Sequence, residues 1–440
     1  MAYRRPFTPQ PIGHLVTLAL IRKPAEIITC LIFALILSGC SGGNDSGSGA
    51  AIVETLVKPL ALPGPYPIAC SNVAQDFERV VPNGGQAQDY WEGRPASDGT
   101  SRYVTDLLTD PVNALSVTVN TPNDTNLFGS FSGRPVQFLV LACYPTRADN
   151  TRADFALPTG QVVPRMQSGA QAPLFADAST RYPVLALSHG LTGSPLSGDY
   201  LVVLSWLASY GYVVVAPFHG DPRFTQLRIE DFGDALTVLS RLSDAVAMQA
   251  LRPLSVSAAL DLVLAHPQWR DHIDAAQIGG FGASMGGETM MLLGGAALTT
   301  SVGLASTAVG ADRRIKAAVG YVPYFGQPLL PAFGRDQKGL DTVTLPYLAI
   351  SGTADTTAPL IVTQQAIGRL QGQRQLVALV GVDHGFDAAS APDILTWTLT
   401  FLDAQVRGIP SARAQWLTMT GVEGGGDDRV LIPLHSPLAP

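Results

Sequence analysis

Ser284, Asp355 and His384 are the residues whose types and spacing point to chemistry. Ser284 sits at the centre of Gly282-Ala283-Ser284-Met285-Gly286, a G-x-S-x-G motif. The residues before it, Gln277 to Phe281, are short and apolar enough for a buried strand, and Glu288 to Leu293 suit a helix. A serine on such a strand-to-helix turn has a strained backbone and an exposed hydroxyl, and flanking glycines let neighbouring backbone pass close by. The next amide, that of Met285, lies at a helix N-terminus and can donate to a developing oxyanion. A nucleophilic serine also needs a base, and the base needs an acid to orient it. Downstream, the apolar run Tyr347 to Ile350 leads into a turn carrying Asp355, and Gln375 to Val380 leads to His384.

Asp383 is the rival acid, but neighbouring side chains of an extended segment point apart, which favours Asp355. Beyond His384 there is one further histidine, His435, in a Pro-rich tail with no strand expected before it. Upstream, Tyr182 to Ser188 reads as a strand running into His189-Gly190-Leu191, which makes the Leu191 amide the second oxyanion candidate. His189 has two readings, a second base or a structural histidine, and the loop position favours the structural one.

With these residues in place the chain resembles the α/β-hydrolases, in particular the platelet-activating-factor acetylhydrolase and dienelactone-hydrolase-like branch. The triad order Ser, Asp, His, each at a strand end, and the His-Gly-Leu loop carry the likeness. It covers residues 62 to 432 and is strongest from Tyr182 to His384; Gly211 to Asp221 fits the family's next strand and its polar end. The resemblance implies an α/β fold with a mostly parallel, eight-stranded sheet flanked by helices, and hydrolysis through an acyl-enzyme. Dienelactone hydrolases carry a cysteine nucleophile where this chain has Ser284. Polyester hydrolases of the cutinase type share the triad order, and Asp355-Thr356-Thr357-Ala358-Pro359 is similar to their acid loop.

The expected activity is therefore a serine carboxylic-ester hydrolase acting on lipid-like, short-acyl or polyester substrates. His384 would take the Ser284 proton and return it to the leaving alcohol, while Asp355 holds the imidazole in the right tautomer. This scheme requires no metal or cofactor. A serine peptidase of the same fold and a non-catalytic binding lipoprotein are the alternatives.

The N-terminus bears on location. Ile27 to Leu37 is an apolar run of eleven residues interrupted only by Thr29, after Arg22 and Lys23. It falls short of the ~20 residues of a spanning helix but fits the apolar region of a signal peptide. Leu37-Ser38-Gly39-Cys40 resembles the lipobox of bacterial lipoproteins, which implies a signal segment over 1–39 and lipidation of Cys40. A Gly/Ser-rich tether over 40–61 would follow. The expected location is the bacterial cell envelope, on the outer membrane or periplasmic face, with membrane attachment through the Cys40 lipid. An ordinary cleaved secretory signal is the alternative.

Removal of 1–39 leaves 24 basic and 34 acidic residues, which argues against a nucleic-acid partner and against electrostatic docking on anionic lipid. Of four cysteines, Cys30 lies in the leader and Cys40 at its end. Cys70 and Cys143 form an even pair in strand-like segments, either bridged in an oxidising compartment or two buried thiols. The motifs are spread over one strand–helix alternation, so 62–440 reads as a single domain with insertions near 84–132 and 222–256. The second insertion contains an apolar-periodic helix, Ile229 to Met248, before a helix from Ser255 to Ala265; it either packs on the sheet or shapes the acyl pocket. Residues 391–407 read as the final amphipathic helix, and Gly424 to Asp428 as a turn. Neither an internal repeat nor a P-loop is present.

Overall fold

A computed structural model describes residues 55–225, 240–327, 330–386 and 388–435. The expected signal segment 1–39, Cys40 and the tether up to residue 54 lie outside the described residues. The rest of that tether is fastened to the domain: Leu56–Val57 pairs in parallel with Gly421–Val422, and the Leu60 amide donates to Thr396 Oγ1 at 2.9 Å.

The chain is a mixed α/β protein built on a mostly parallel central sheet. Among the described residues ten strands form it: β1 (Ile68–Cys70), β2 (Ser116–Asn120), β3 (Pro135–Pro145), β4 (Tyr182–Ser188), β5 (Val213–Pro217), β6 (Ile273–Ala283), β7 (Ile315–Tyr321), β8 (Tyr347–Gly352), β9 (Arg374–Leu379) and β10 (Asp428–His435). Their order is β10-β9-β8-β7-β6-β4-β5-β3-β1, with β2 paired to β3. The six strands from β4 to β9 are mutually parallel, and β1, β2, β3 and β10 run antiparallel to their neighbours. Among the described residues the sheet has two strands more than the eight expected. The added pairings come from the 84–132 insertion, which supplies β2, and from the Pro-rich tail, which supplies β10. An unpaired edge backbone is a template for strand addition, so weak sequence patterns become strands there.

The central strands are apolar on both faces because helices cover both. Leu185 and Leu187 of β4 face one core with Leu204 and Leu207 of α1 (Asp199–Ser209) and with Ile394 and Leu402 of α5 (Ala391–Gln405). Val184 and Ala186 face the other, with Val246 and Leu260 of α2 (Leu242–Ala265), Met290 of α3 (Met285–Leu293) and Val362 of α4 (Leu360–Arg369). Two helix readings need correction. Residues 229–239 of the expected helix Ile229 to Met248 lie outside the described residues; from Leu242 on, α2 runs unbroken through Pro253, so Met248 and Ser255 belong to one helix rather than two, and burial of Ala250, Leu251, Val256 and Ala259 holds both halves on the sheet. Helix α5 is neither final nor two-faced, because α6 (Pro410–Thr418) covers its outer side, with Trp416 against Phe401 at 5.3 Å between ring centroids. Thr396, which accepts from the Leu60 amide, and Thr398 are buried along with the apolar residues of α5.

Cys70 and Cys143 face each other across the β1–β3 pair and form a disulfide. Of the expected turn at Gly424 to Asp428, the chain bends over Gly424 to Gly426, with Gly424 and Gly425 at positive φ, and Asp428 already opens β10.

Candidate active site

The sheet order places a particular point at the carboxyl ends of β4 and β6. After β4 the chain moves to β5 on one side, then returns to β6 on the other. Loops leaving such a reversal diverge and open a crevice, the usual ligand position in open α/β sheets.

Ser284 stands between β6 and α3 with φ 53° and ψ −121°, a region an L-residue enters only under constraint. Four backbone bonds hold it there, the longest from Glu288 N to its carbonyl at 3.4 Å. Its N–H donates to Tyr321 O at 2.9 Å, and its carbonyl accepts from Gly287 N at 2.8 Å and Tyr324 N at 2.9 Å. The two motif glycines have a steric reason. A Cβ on Gly282 would lie 2.1 Å from Gly286 O, and one on Gly286 would lie 1.8 Å from Ser188 O at the end of β4. No side chain fits either position.

The structure brings Ser284, His384 and Asp355 into one hydrogen-bonded line. His384 Nε2 lies 2.9 Å from Ser284 Oγ, and His384 Nδ1 lies 2.8 Å from Asp355 Oδ2. The carboxyl of Asp355 has no exposure, and its second oxygen accepts from Thr357 N at 2.8 Å and Ala358 N at 2.7 Å. Asp383 points elsewhere and accepts from Gly385 N at 2.8 Å. Tyr321 donates its hydroxyl to Gly385 O at 2.6 Å and its ring lies 5.7 Å from that of Phe386, so the β7 end supports the His384 loop.

The loop after β4 packs on Ser284: a Cβ on Gly190 would lie 3.3 Å from Ser284 Cβ. Three of its four amides are occupied. Gly190 N donates to Tyr200 Oη at 2.8 Å, Thr192 N to Asp221 Oδ2 at 3.1 Å, and Gly193 N to Gly190 O at 3.2 Å. Among the described residues the Leu191 amide has no hydrogen-bond acceptor, and neither has the Met285 amide. These are the two donors expected from the sequence.

His189 is buried and structural in its contacts. Its Nδ1–H donates to Gly190 O at 2.8 Å and its Nε2 accepts from His219 N at 3.2 Å. Burial, and then the Arg252 charge, push its pKa down to about 4, so it is neutral at pH 7 with both nitrogens engaged. Burial and Arg252 also push His219 well down; its ring lies between Ser188 Oγ and Ser255 Oγ at 2.8 and 2.9 Å. Behind the elbow, Glu288 is buried with one carboxyl oxygen 2.7 Å from Gln249 Nε2 and the other without a partner. Burial pushes its pKa up to about 8, so it is mainly protonated at pH 7.

Two groups escaped sequence reasoning. Arg252 of α2 and Asp221 after β5 form a fully buried ion pair against the Gly190 loop. Neither has a local motif; the one available signal was an arginine inside an apolar helix pattern. An apolar cleft also adjoins the elbow, lined by Leu242, Met248, Met285, Leu298, Tyr324 and Leu330. Helix α2 from the second insertion thus both packs on the sheet and lines this cleft. Among the described residues no group of three or more His, Cys, Asp or Glu is arranged to hold a metal ion.

Compared with known proteins, the chain matches no protein-family model and no curated protein.

Proposed function

We propose that this protein is a serine carboxylic-ester hydrolase with an α/β-hydrolase fold. The single observation that carries the reading is the unbroken line Asp355–His384–Ser284 ending at an elbow flanked by two unoccupied amides. Setting aside edge strand β10 and the side-paired β2 leaves eight strands, which supports the finer fold assignment.

In this reading His384 Nε2 takes the Ser284 hydroxyl proton as Oγ attacks the ester carbonyl carbon. The carbonyl oxygen becomes an oxyanion and receives the N–H groups of Met285 and Leu191. Collapse breaks the C–O bond, and the proton on His384 goes to the leaving alcohol. Water then attacks the acyl-enzyme, its proton passing through His384 back to Ser284 Oγ as the acid departs. The Asp355 carboxylate keeps the Nδ1–H tautomer and offsets the charge of the imidazolium. The apolar cleft beside Met285 supports a lipid-like or other apolar ester over a charged substrate.

Export and anchoring through Cys40 belong to the same proposal and rest on the leader sequence. The Cys70–Cys143 disulfide supports an oxidising compartment.

The test is hydrolysis of p-nitrophenyl esters from acetate to palmitate by the full chain and by Ser284→Ala. Turnover that falls at least about 10³-fold in the variant supports the acyl-enzyme. Turnover that persists in the variant, or a peptide anilide cleaved where no ester is, overturns the esterase reading.

A further inference from the structure

We propose that Arg252 and Asp221 are positioning residues for the oxyanion loop, acting by fixing the peptide plane between Gly190 and Leu191. The inference rests on the ester-hydrolase reading and assigns a device that aims one of its two oxyanion donors.

The guanidinium of Arg252 is buried with four acceptors around it. Its Nε donates to Asp221 Oδ1 at 2.9 Å, Nη1 to His189 O at 2.7 Å, and Nη2 to Gly190 O at 2.9 Å as well as to Asp221 Oδ2. Gly190 O is therefore a triple acceptor, taking Arg252 Nη2, His189 Nδ1–H and Gly193 N–H together. A carbonyl held from three directions cannot swing. The only cis peptide among the described residues is Leu62-Pro63, so the Gly190–Leu191 bond is trans and its N–H points opposite to its C=O. Locking the carbonyl toward Arg252 locks the Leu191 amide away from it. Asp221 secures the next amide, Thr192, and so prevents a flip of the following plane.

Stability alone is a poor account of this arrangement. A buried ion pair is often no better for folding than apolar side chains of the same volume, because desolvation offsets the Coulomb gain. What the pair supplies is direction. A planar guanidinium fork can hold a carboxylate and two carbonyls at once, which the compact ammonium of lysine cannot.

The experiment compares the full-length wild type with Arg252→Lys, which keeps the charge facing Asp221 but loses the fork. A second variant, Asp221→Leu/Arg252→Met, removes both charges together, so folding does not depend on an orphaned ion. Each is measured for kcat and KM on a short p-nitrophenyl ester, for thermal midpoint, and for the fraction of Ser284 that reacts with diethyl p-nitrophenyl phosphate. The expected result is a kcat about 10- to 100-fold lower with KM within about threefold, a share of the ~10²–10³ that loss of a whole oxyanion donor removes. The fraction of reactive Ser284 at completion stays near that of the wild type. A folded variant with wild-type kcat overturns the proposal, as does a kcat loss matched by the same loss of reactive Ser284. If the wild type itself shows no Ser284-dependent turnover, the ester-hydrolase reading fails, and this proposal fails with it.

Discussion

Replacing Asp355 by asparagine changes one atom's role without changing shape, and the hydrogen bonds around it dictate the outcome. One carboxyl oxygen of Asp355 accepts from both Thr357 N and Ala358 N, at 2.8 and 2.7 Å. In Asp355→Asn the amide oxygen must keep that position. Turning the group over would set its NH₂ against two N–H donors and leave both backbone amides unsatisfied, at about 1–3 kcal/mol each. The NH₂ then faces His384 Nδ1, where the carboxylate now sits at 2.8 Å. An imidazole beside a donor presents a lone pair at Nδ1 and carries its proton on Nε2. Nε2 would therefore donate to Ser284 Oγ, 2.9 Å away, instead of accepting from it, and the base is lost. The expected fall in kcat is on the order of 10³–10⁴, or about 4–5.5 kcal/mol of transition-state stabilisation. The assay is saturating p-nitrophenyl butyrate, with the thermal midpoint measured on the same samples. Asp383→Asn, whose carboxylate accepts from Gly385 N alone among the described residues, is expected to lose less than about tenfold. A folded Asp355→Asn variant within tenfold of the wild type would falsify the tautomer argument, and the reverse ranking of the two variants would move the acid to Asp383.

Two further outcomes concern stability. The raised pKa of Glu288, about 8 against an ordinary 4.5, means that its contribution is fully present below pH 4.5 and is lost as pH rises through 8. Glu288→Gln cannot ionise, so its stability relative to the wild type should grow by about 3–4 kcal/mol between pH 5 and pH 8, measured by urea unfolding; a pH-independent difference refutes the buried-carboxyl account. The disulfide closes a loop with a sequence separation of 73 residues, so Cys70→Ala/Cys143→Ala should cost about 4 kcal/mol in the chain-entropy treatment. An unchanged denaturation midpoint would show that the oxidised and reduced unfolded chains are equally restricted.

The sequence by itself determined which residues form the candidate site, because each is written in a local pattern. A strand followed by a turn can be read from a few neighbouring residues, and Ser284, Asp355, His384 and the Leu191 loop all stand at such places. The G-x-S-x-G glycines were legible for the same reason, although the clashes that require them, with Ser188 O and Gly286 O, involve β4 as well as the elbow. Edge and covering elements were not legible. β10 is a strand because β9 offers it an open edge, and α5 is buried all round because α6 lies over it. Helix α2 passes through Pro253, against local propensity, because packing on the sheet outweighs one missing hydrogen bond. Arg252 is the clearest case. Its partner Asp221 is 31 residues away and the carbonyls it holds are more than sixty away, on a different strand end. Nothing local encodes a contact of that kind. It exists only once β4, β5 and α2 have packed, since tertiary structure alone decides which charges share a low-dielectric interior.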